Sequence, residues 1–173
     1  MNHFIDMKAK TPVELSSAYQ LLHKRLYDMH SDDIGVSFPT GLSVLRVHGS
    51  AERLEALMTN KFIDRLASKV CCSFVKHIPD NVVPVNVFRK RQRKSMSRLR
   101  RHQQRGATYT EEQINDYRLN MCKESLSCLY ISMDSTSTQQ HYLLFIDTQE
   151  ADQEQQGKFN HFGLSKTATV PMF

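Results

Sequence analysis

The chain opens with an alternation of apolar and polar side chains, His3 to Ala9 (HFIDMKA), which predicts a strand because neighbouring side chains on an extended backbone face opposite ways. Thr11-Pro12-Val13-Glu14 then has the chemistry of a helix start. Thr11 can cap, Pro12 occupies the first helical position, and Glu14 can close a capping box. Leu15, Ala18, Tyr19, Leu22 and Leu26 follow at helical spacing and make an apolar stripe that must be covered. Ser31-Asp32-Asp33 ends that helix. Ile34 to Phe38 and Leu42 to His48 read as two short strands around a Pro-Thr-Gly turn. Ser50 can cap a second helix with Leu54, Leu57 and Met58 on its buried side, and Val70 to His77 reads as another strand. The order strand, helix, strand, strand, helix, strand is that of a ferredoxin-like domain, an arrangement that does not by itself specify function.

The second half has a different texture. Val82 to Phe88 is β-rich and leads into a basic run that ends at Gly106. Thr110-Glu111-Glu112-Gln113 is a second capping box, predicting a helix to about Lys123. Two strands are expected at Cys128 to Met133 and Tyr142 to Asp147, joined by the polar loop Asp134 to Gln140. A hydrophilic stretch (DTQEADQEQQGK) precedes the final segment HFGLSKTATVPMF, and no internal repeat is visible.

Charge changes the picture most. Between Arg89 and Arg105 (RKRQRKSMSRLRRHQQR) nine of seventeen residues are Lys or Arg and none is acidic. The whole chain has 23 Lys+Arg against 18 Asp+Glu, a net of +5; without this run the basic count is 14 and the net is −4. Charge of one sign concentrated on an otherwise balanced body points to a polyanion, with nucleic acid first among candidates. On a helix over residues 91–105, Arg91, Lys94, Arg98, Arg101 and Arg105 share one side, and Met96 and Leu99 can anchor the other. Arginine favours bidentate contacts to phosphate and guanine edges.

Other classes recede. At 173 residues the chain can bury a real core. No apolar run approaches the roughly 18 residues that span a bilayer, and the N-terminus lacks the apolar region of a secretory signal. Cys71, Cys72, Cys122 and Cys128 show no zinc or disulfide spacing, and no metal site or cofactor is expected. A cytoplasmic protein is the expectation. A duplex-DNA binder is disfavoured because no helix-turn-helix pattern is present.

Particular strings narrow this further. In order, they are His3 and Asp6; Leu22-His23; Ile34-Gly35-Val36-Ser37-Phe38-Pro39; and Leu45-Arg46-Val47-His48-Gly49-Ser50. Then come Gln92, Lys94-Ser95 and Arg98-Leu99-Arg100-Arg101, followed by Ser135 with Ser137-Thr138 and Gln140-His141-Tyr142. Gly163-Leu164-Ser165-Lys166 and Val170-Pro171-Met172-Phe173 complete the set. Together they resemble the type I-F (Csy-type) CRISPR-associated endoribonucleases that process precursor CRISPR RNA. The resemblance implies an α+β protein, with a ferredoxin-like (RRM-like) domain over residues 1–83 and a C-terminal α/β part over 84–173 carrying an arginine-rich helix. It implies metal-independent cutting at the 3′ base of the repeat's stem-loop, leaving 2′,3′-cyclic phosphate and 5′-hydroxyl ends. The implied partners are the CRISPR repeat RNA and the other subunits of a type I-F surveillance complex, with no membrane.

By the same resemblance His23 matches the catalytic histidine and Ser135 the serine that holds the attacking ribose. Ser137, Thr138 and Phe162 lie in the active-site vicinity. Tyr142 matches an aromatic that stacks on the last base pair of the stem. Gln92, with Lys90 or Arg91, matches a pair that reads base edges low on the stem. Lys94, Arg98, Arg100, Arg101, His102 and Arg105 carry the remaining RNA contacts. Histidine suits a base near neutrality because its ordinary pKa is about 6.5. Phe162 departs from the family, which has Tyr there, and His161 beside it is a candidate replacement contact. That loss of a phenolic hydroxyl keeps a rival open: a subunit that binds the hairpin without cutting it.

Overall fold

Five buried side chains define the first helix, and they are the five the periodicity singles out. The computed structural model describes residues 1–91, 95–126, 128–135 and 138–173, with backbone alone over 123–126. Gln92, Lys94 and Ser137 lie outside the described residues. Helix α1 (Pro12–Asp28) buries Leu15, Ala18, Tyr19, Leu22 and Leu26, each at most 1% exposed. Its capping box is formed: Thr11 Oγ1 accepts from the Glu14 amide at 3.2 Å, and Glu14 Oε2 accepts from the Thr11 amide at 3.0 Å.

The stripe packs on an antiparallel sheet. Strands β1 (His3–Lys8), β2 (Gly35–Ser37), β3 (Val44–Gly49) and β4 (Cys71–Cys72) lie in the order β2-β3-β1-β4, and β5 (Lys76–His77) also pairs with β1. Helix α2 (Ala51–Leu57) starts on the Ser50 side-chain cap and buries Leu54 and Leu57. Helix α3 (Asn60–Ala67), which is not among the elements expected from sequence, buries only Phe62 and Leu66. The single strand expected over Val70 to His77 is split. Three residues, Ser73 to Val75, stand opposite two, Ile5 and Asp6, between the Met7–Cys72 and Phe4–Lys76 pairs, which is a β-bulge.

A second antiparallel sheet takes the order β7-β8-β6-β9, from β6 (Val83–Arg89), β7 (Leu129–Asp134), β8 (His141–Glu150) and β9 (Val170–Met172). Strand β8 runs past the expected end at Asp147 because Thr148, Gln149 and Glu150 pair with Val87, Asn86 and Val85. Between β6 and β7 lie α4 (Met96–Gln104) and α5 (Glu111–Leu126). Here the helix expected over 91–105 is corrected. Ser95 is its cap, with Oγ accepting from the Arg98 amide at 3.2 Å, so Arg91 precedes the helix. Leu99 is buried as anticipated, and Tyr117 of α5 ties the cap down by bonding both the amide and carbonyl of Ser95.

The two sheets share one core, in which Ile5, Leu22 and Val47 belong to the same buried cluster as Val87, Ile131 and Leu144. The final segment closes it. At Gly35 a β-carbon would come within 2.5 Å of Val170 Cγ1, so only glycine lets β9 approach β2 this closely. Arg46 of β3 forms a buried two-pronged ion pair with Asp6 (2.7 and 3.0 Å) and donates to the Phe173 main-chain oxygen at 2.8 Å. The Phe4 and Phe173 rings lie 4.6 and 3.9 Å from its guanidinium. Among the described residues no helix is long and apolar enough to cross a membrane.

Candidate active site

The polar flank of α1, not its buried stripe, makes the site. Ser17, Gln20, His23, Lys24 and Tyr27 line one cleft of about 700 Å3, which Asp134, Ser135 and Tyr142 close from the second sheet. Three residues chosen from sequence, His23, Ser135 and Tyr142, therefore meet although the latter two lie more than a hundred positions away from the first.

His23 is held on two sides. Its Nδ1 lies 2.9 Å from the carbonyl oxygen of His161. A carbonyl only accepts, so Nδ1 carries the proton and Nε2 keeps its lone pair. The ring lies flat against Phe162, with centroids 3.8 Å apart and planes 4° apart. Partial burial pushes the His23 pKa below the ordinary 6.5, outweighing the hydrogen bond to His161, which favours the charged form. The imidazole is thus neutral at pH 7 and able to take a proton through Nε2. The polar contact to His23 comes from the main chain of His161; its ring packs edge-on against Tyr27 at 5.1 Å.

The segment bearing Phe162 is locked in place. The fully buried Tyr19 donates its hydroxyl to the Phe162 carbonyl at 2.8 Å, and burial raises its pKa well above 10.0, so it remains a donor. Asn160 Oδ1 accepts from the amides of Phe162 and Leu164 at 2.9 and 3.2 Å. Gly163 has φ +70°, and its carbonyl accepts from the Val36 amide at 3.0 Å.

On the opposite wall Gln20 clamps the end of β7. Its Nε2 donates to the Asp134 carbonyl at 3.1 Å, and its Oε1 accepts from the Asp134 amide at 3.4 Å. The next residue is Ser135, whose Oγ accepts from the Thr138 amide at 3.3 Å while its own amide donates to Gln140. His141 Nδ1 lies 2.9 Å from the Asp134 carboxylate and its Nε2 lies 2.9 Å from Ser132 Oγ, which ties the two strand ends together. Tyr142 is partly buried, with the Arg89 guanidinium 5.9 Å from its ring centre.

The predicted RNA-contacting residues lie elsewhere. Arg98, Arg100, Arg101, His102 and Arg105 sit exposed on α4 or at its end, away from the cleft lining. Lys90, at the end of β6, pairs with Asp147 at 2.9 Å, and this partner holds its pKa up. Arg91 is exposed, and Thr138 touches the cleft only through Ser135. Sequence reasoning missed Gln20, Lys24, Tyr27, Asn160 and Tyr19's bond. A signal existed for the first three: Gln20 and Tyr27 stand three before and four after His23, and Lys24 stands four after Gln20 and three before Tyr27, so helical spacing links all of them along one flank. Among the described residues, no group of three or more His, Cys, Asp or Glu is placed to hold a metal ion.

Comparison with known proteins converges on one family. A family model described as CRISPR-associated protein (Cas_Csy4) matches residues 4–173. Two curated relatives bear the name CRISPR-associated endonuclease Cas6/Csy4. One, from Escherichia coli (strain UTI89 / UPEC), is 31% identical over 184 residues, and the other, from Pseudomonas aeruginosa (strain UCBPP-PA14), is 29% identical over 187 residues. Both alignments cover 100% of each chain.

Proposed function

The chain belongs to the Csy4 family of CRISPR-associated proteins, and from that premise we propose that it is an endoribonuclease cutting CRISPR repeat RNA at the 3′ base of its stem-loop. The observation that carries this reading is the free Nε2 of His23, fixed in a cleft that Ser135 and Tyr142 also line. Nε2 takes the proton from a ribose 2′-hydroxyl that Ser135 holds. The 2′-oxygen attacks the adjacent phosphorus in line, and the bond to the 5′-oxygen breaks. His23 then returns its proton to that oxygen. The products are a 2′,3′-cyclic phosphate and a 5′-hydroxyl, with no metal or cofactor in any step.

Tyr142 stacks on the last base pair and so sets where the stem ends. Lys90, Arg91 and Gln92 read the lower stem, while Lys94 and the cationic residues of α4 hold its phosphates and groove. The strand order β2-β3-β1-β4 beneath α1 supports a ferredoxin-like domain over residues 1–83, with 84–173 as the RNA-binding part. The hairpin product stays bound, and the protein joins a type I-F surveillance complex in the cytoplasm with it.

The test is cleavage of a matching repeat hairpin in EDTA by wild type, His23→Ala and Ser135→Ala. A single cut with a cyclic phosphate end, slowed about 100- to 10,000-fold in His23→Ala, is expected. Tight binding with no cut would favour the binding-only alternative and implicate the hydroxyl that Phe162 lacks.

A further inference from the structure

The cleft does not stop at His23. Beyond it the lining continues through Lys24, Tyr27, Arg65 and Lys69, from α1 and the end of α3. A second hollow of about 170 Å3 shares Leu21, Lys24, Asp28 and Arg65 with the first and extends it to Lys61. The result is one groove running away from Ser135 and Tyr142 along the seam between the two helices.

Its chemistry is lopsided. Lys24, Lys61 and Arg65 are exposed, and no ion pair among the described residues involves them or Lys69. Lys69 reaches only Ser68 Oγ, at 3.4 Å. Arg25 is committed to the Ala56 carbonyl at 2.9 Å. Two carboxylates lie on the lining, and that of Asp134 is engaged by His141, which leaves Asp28 against four cations. Tyr27 adds a half-exposed ring at 58%, braced edge-on by His161. Unpaired cations beside a braced aromatic face make the combination that holds single-stranded nucleic acid: phosphates on the cations, a base on the ring. Charge patterning along the chain does not reveal it, because these charges are dispersed over residues 24–69 and meet only in the fold.

We infer that this groove seats the single-stranded RNA that continues 3′ of the cut, with Tyr27 stacking one of its bases and Lys24, Arg65, Lys69 and Lys61 facing its phosphates. The inference rests on the endoribonuclease reading for its polarity. With the base of the stem on the Tyr142 wall and the reacting ribose between Ser135 and His23, the broken strand is the one that passes His23 and enters the groove. The protein would then engage its substrate more strongly than the hairpin it keeps, and the groove would empty when the 3′ piece leaves.

The experiment compares three repeat hairpins whose reacting 2′-hydroxyl is replaced by hydrogen: one ending at the cut, one extended 3′ by about ten nucleotides, and one extended 5′ by the same length. At low salt the 3′ extension is expected to tighten binding to wild type about 10-fold, with the 5′ extension giving no such gain. A Lys24→Ala/Arg65→Ala/Lys69→Ala variant should lose that gain and lower the salt slope for the 3′-extended RNA by about 2, since each phosphate contact contributes about 0.7 on a single strand. Tyr27→Ala should lose part of the gain and Tyr27→Phe should retain it. Equal binding of all three RNAs, a gain from the 5′ extension alone, or a gain that survives the triple variant would overturn the inference. Amide shifts on adding oligouridine test the groove apart from the hairpin. Failure to bind any hairpin, with shifts still centred on Lys24, Tyr27 and Arg65, would defeat the endoribonuclease reading while keeping the groove; no shifts there would defeat the groove itself.

Discussion

The imidazole of His23 and the ring of Phe162 lie face to face, 3.8 Å between centroids and 4° from parallel, with the His161 carbonyl fixing the imidazole's rotation about the stack. The Phe162 ring therefore does a positioning task that needs no hydroxyl. Phe162→Ala should remove a contact worth about 0.5–1.5 kcal/mol and slow single-turnover cleavage about 3- to 10-fold. It should also open His23 to water and let its pKa rise toward 6.5, because burial is the main cause of the depression. In wild type the base form persists below pH 6.5, so the rate should begin to fall only on the acid side of that value. An NMR titration of His23 beside the pH–rate profile checks both; an unchanged His23 pKa in the variant would refute the burial argument.

Gln20 touches neither proton nor phosphate in the proposed reaction, yet it holds the peptide groups of Asp134, one residue before Ser135. Gln20→Ala should cost about 0.5–1.5 kcal/mol of stability for each bond lost. The larger effect should be on the cleavage rate, with hairpin affinity almost unchanged. A loss of affinity matching the loss of rate would mean that Gln20 shapes binding instead.

Gly163 tolerates no side chain, because φ is +70° and a β-carbon would stand 2.7 Å from Val36 Cγ1. Gly163→Ala should destabilise the fold by about 1–3 kcal/mol and displace the Phe162 ring from His23. Thermal unfolding and cleavage, measured together, should both deteriorate.

Two ion pairs invite a contrast. Arg46→Ala leaves Asp6 buried without its partner and should cost about 3–5 kcal/mol, as the pair is 10% and 12% exposed. Arg53→Ala breaks the much more exposed pair with Asp33 and should cost about 0.2–1 kcal/mol. Urea unfolding of the two variants side by side would reveal the difference; similar losses would deny the buried pair its special role.

What could be read from sequence follows the range of the forces involved. The α1 stripe and its capping box are set by neighbours within four residues, so Leu15 to Leu26 and Thr11 with Glu14 were legible directly. The Ser95 cap is equally local, but the basic run begins six residues before it, so charge patterning alone puts the helix start too early. The bulge at Ser73 to Val75 was hidden because VCCSFVKH has strand composition throughout; only pairing with β1 reveals the extra residue. For the site, His23, Ser135, Tyr142 and Phe162 became visible through family resemblance. Gln20 acts through bonds to the distant Asp134 main chain that composition cannot encode, and the Asn160 turn, local in itself, gains its place in the site only when Tyr19 and His23 pack on it.

The locked segment from Phe159 to Phe173 has a consequence for how the protein is made. Its partners are early residues: Phe159 bonds Asp32, Phe162 meets Tyr19 and His23, Gly163 bonds Val36, and Phe173 bonds Arg46. Chains emerge from the ribosome N-terminus first. The helix carrying His23 can therefore form early, but the carbonyl that orients its ring and the aromatic that backs it, His161 and Phe162, are synthesised more than a hundred residues later. A nascent chain would expose His23 with no ring behind it, so the imidazole would be oriented only once residues 159–163 have emerged.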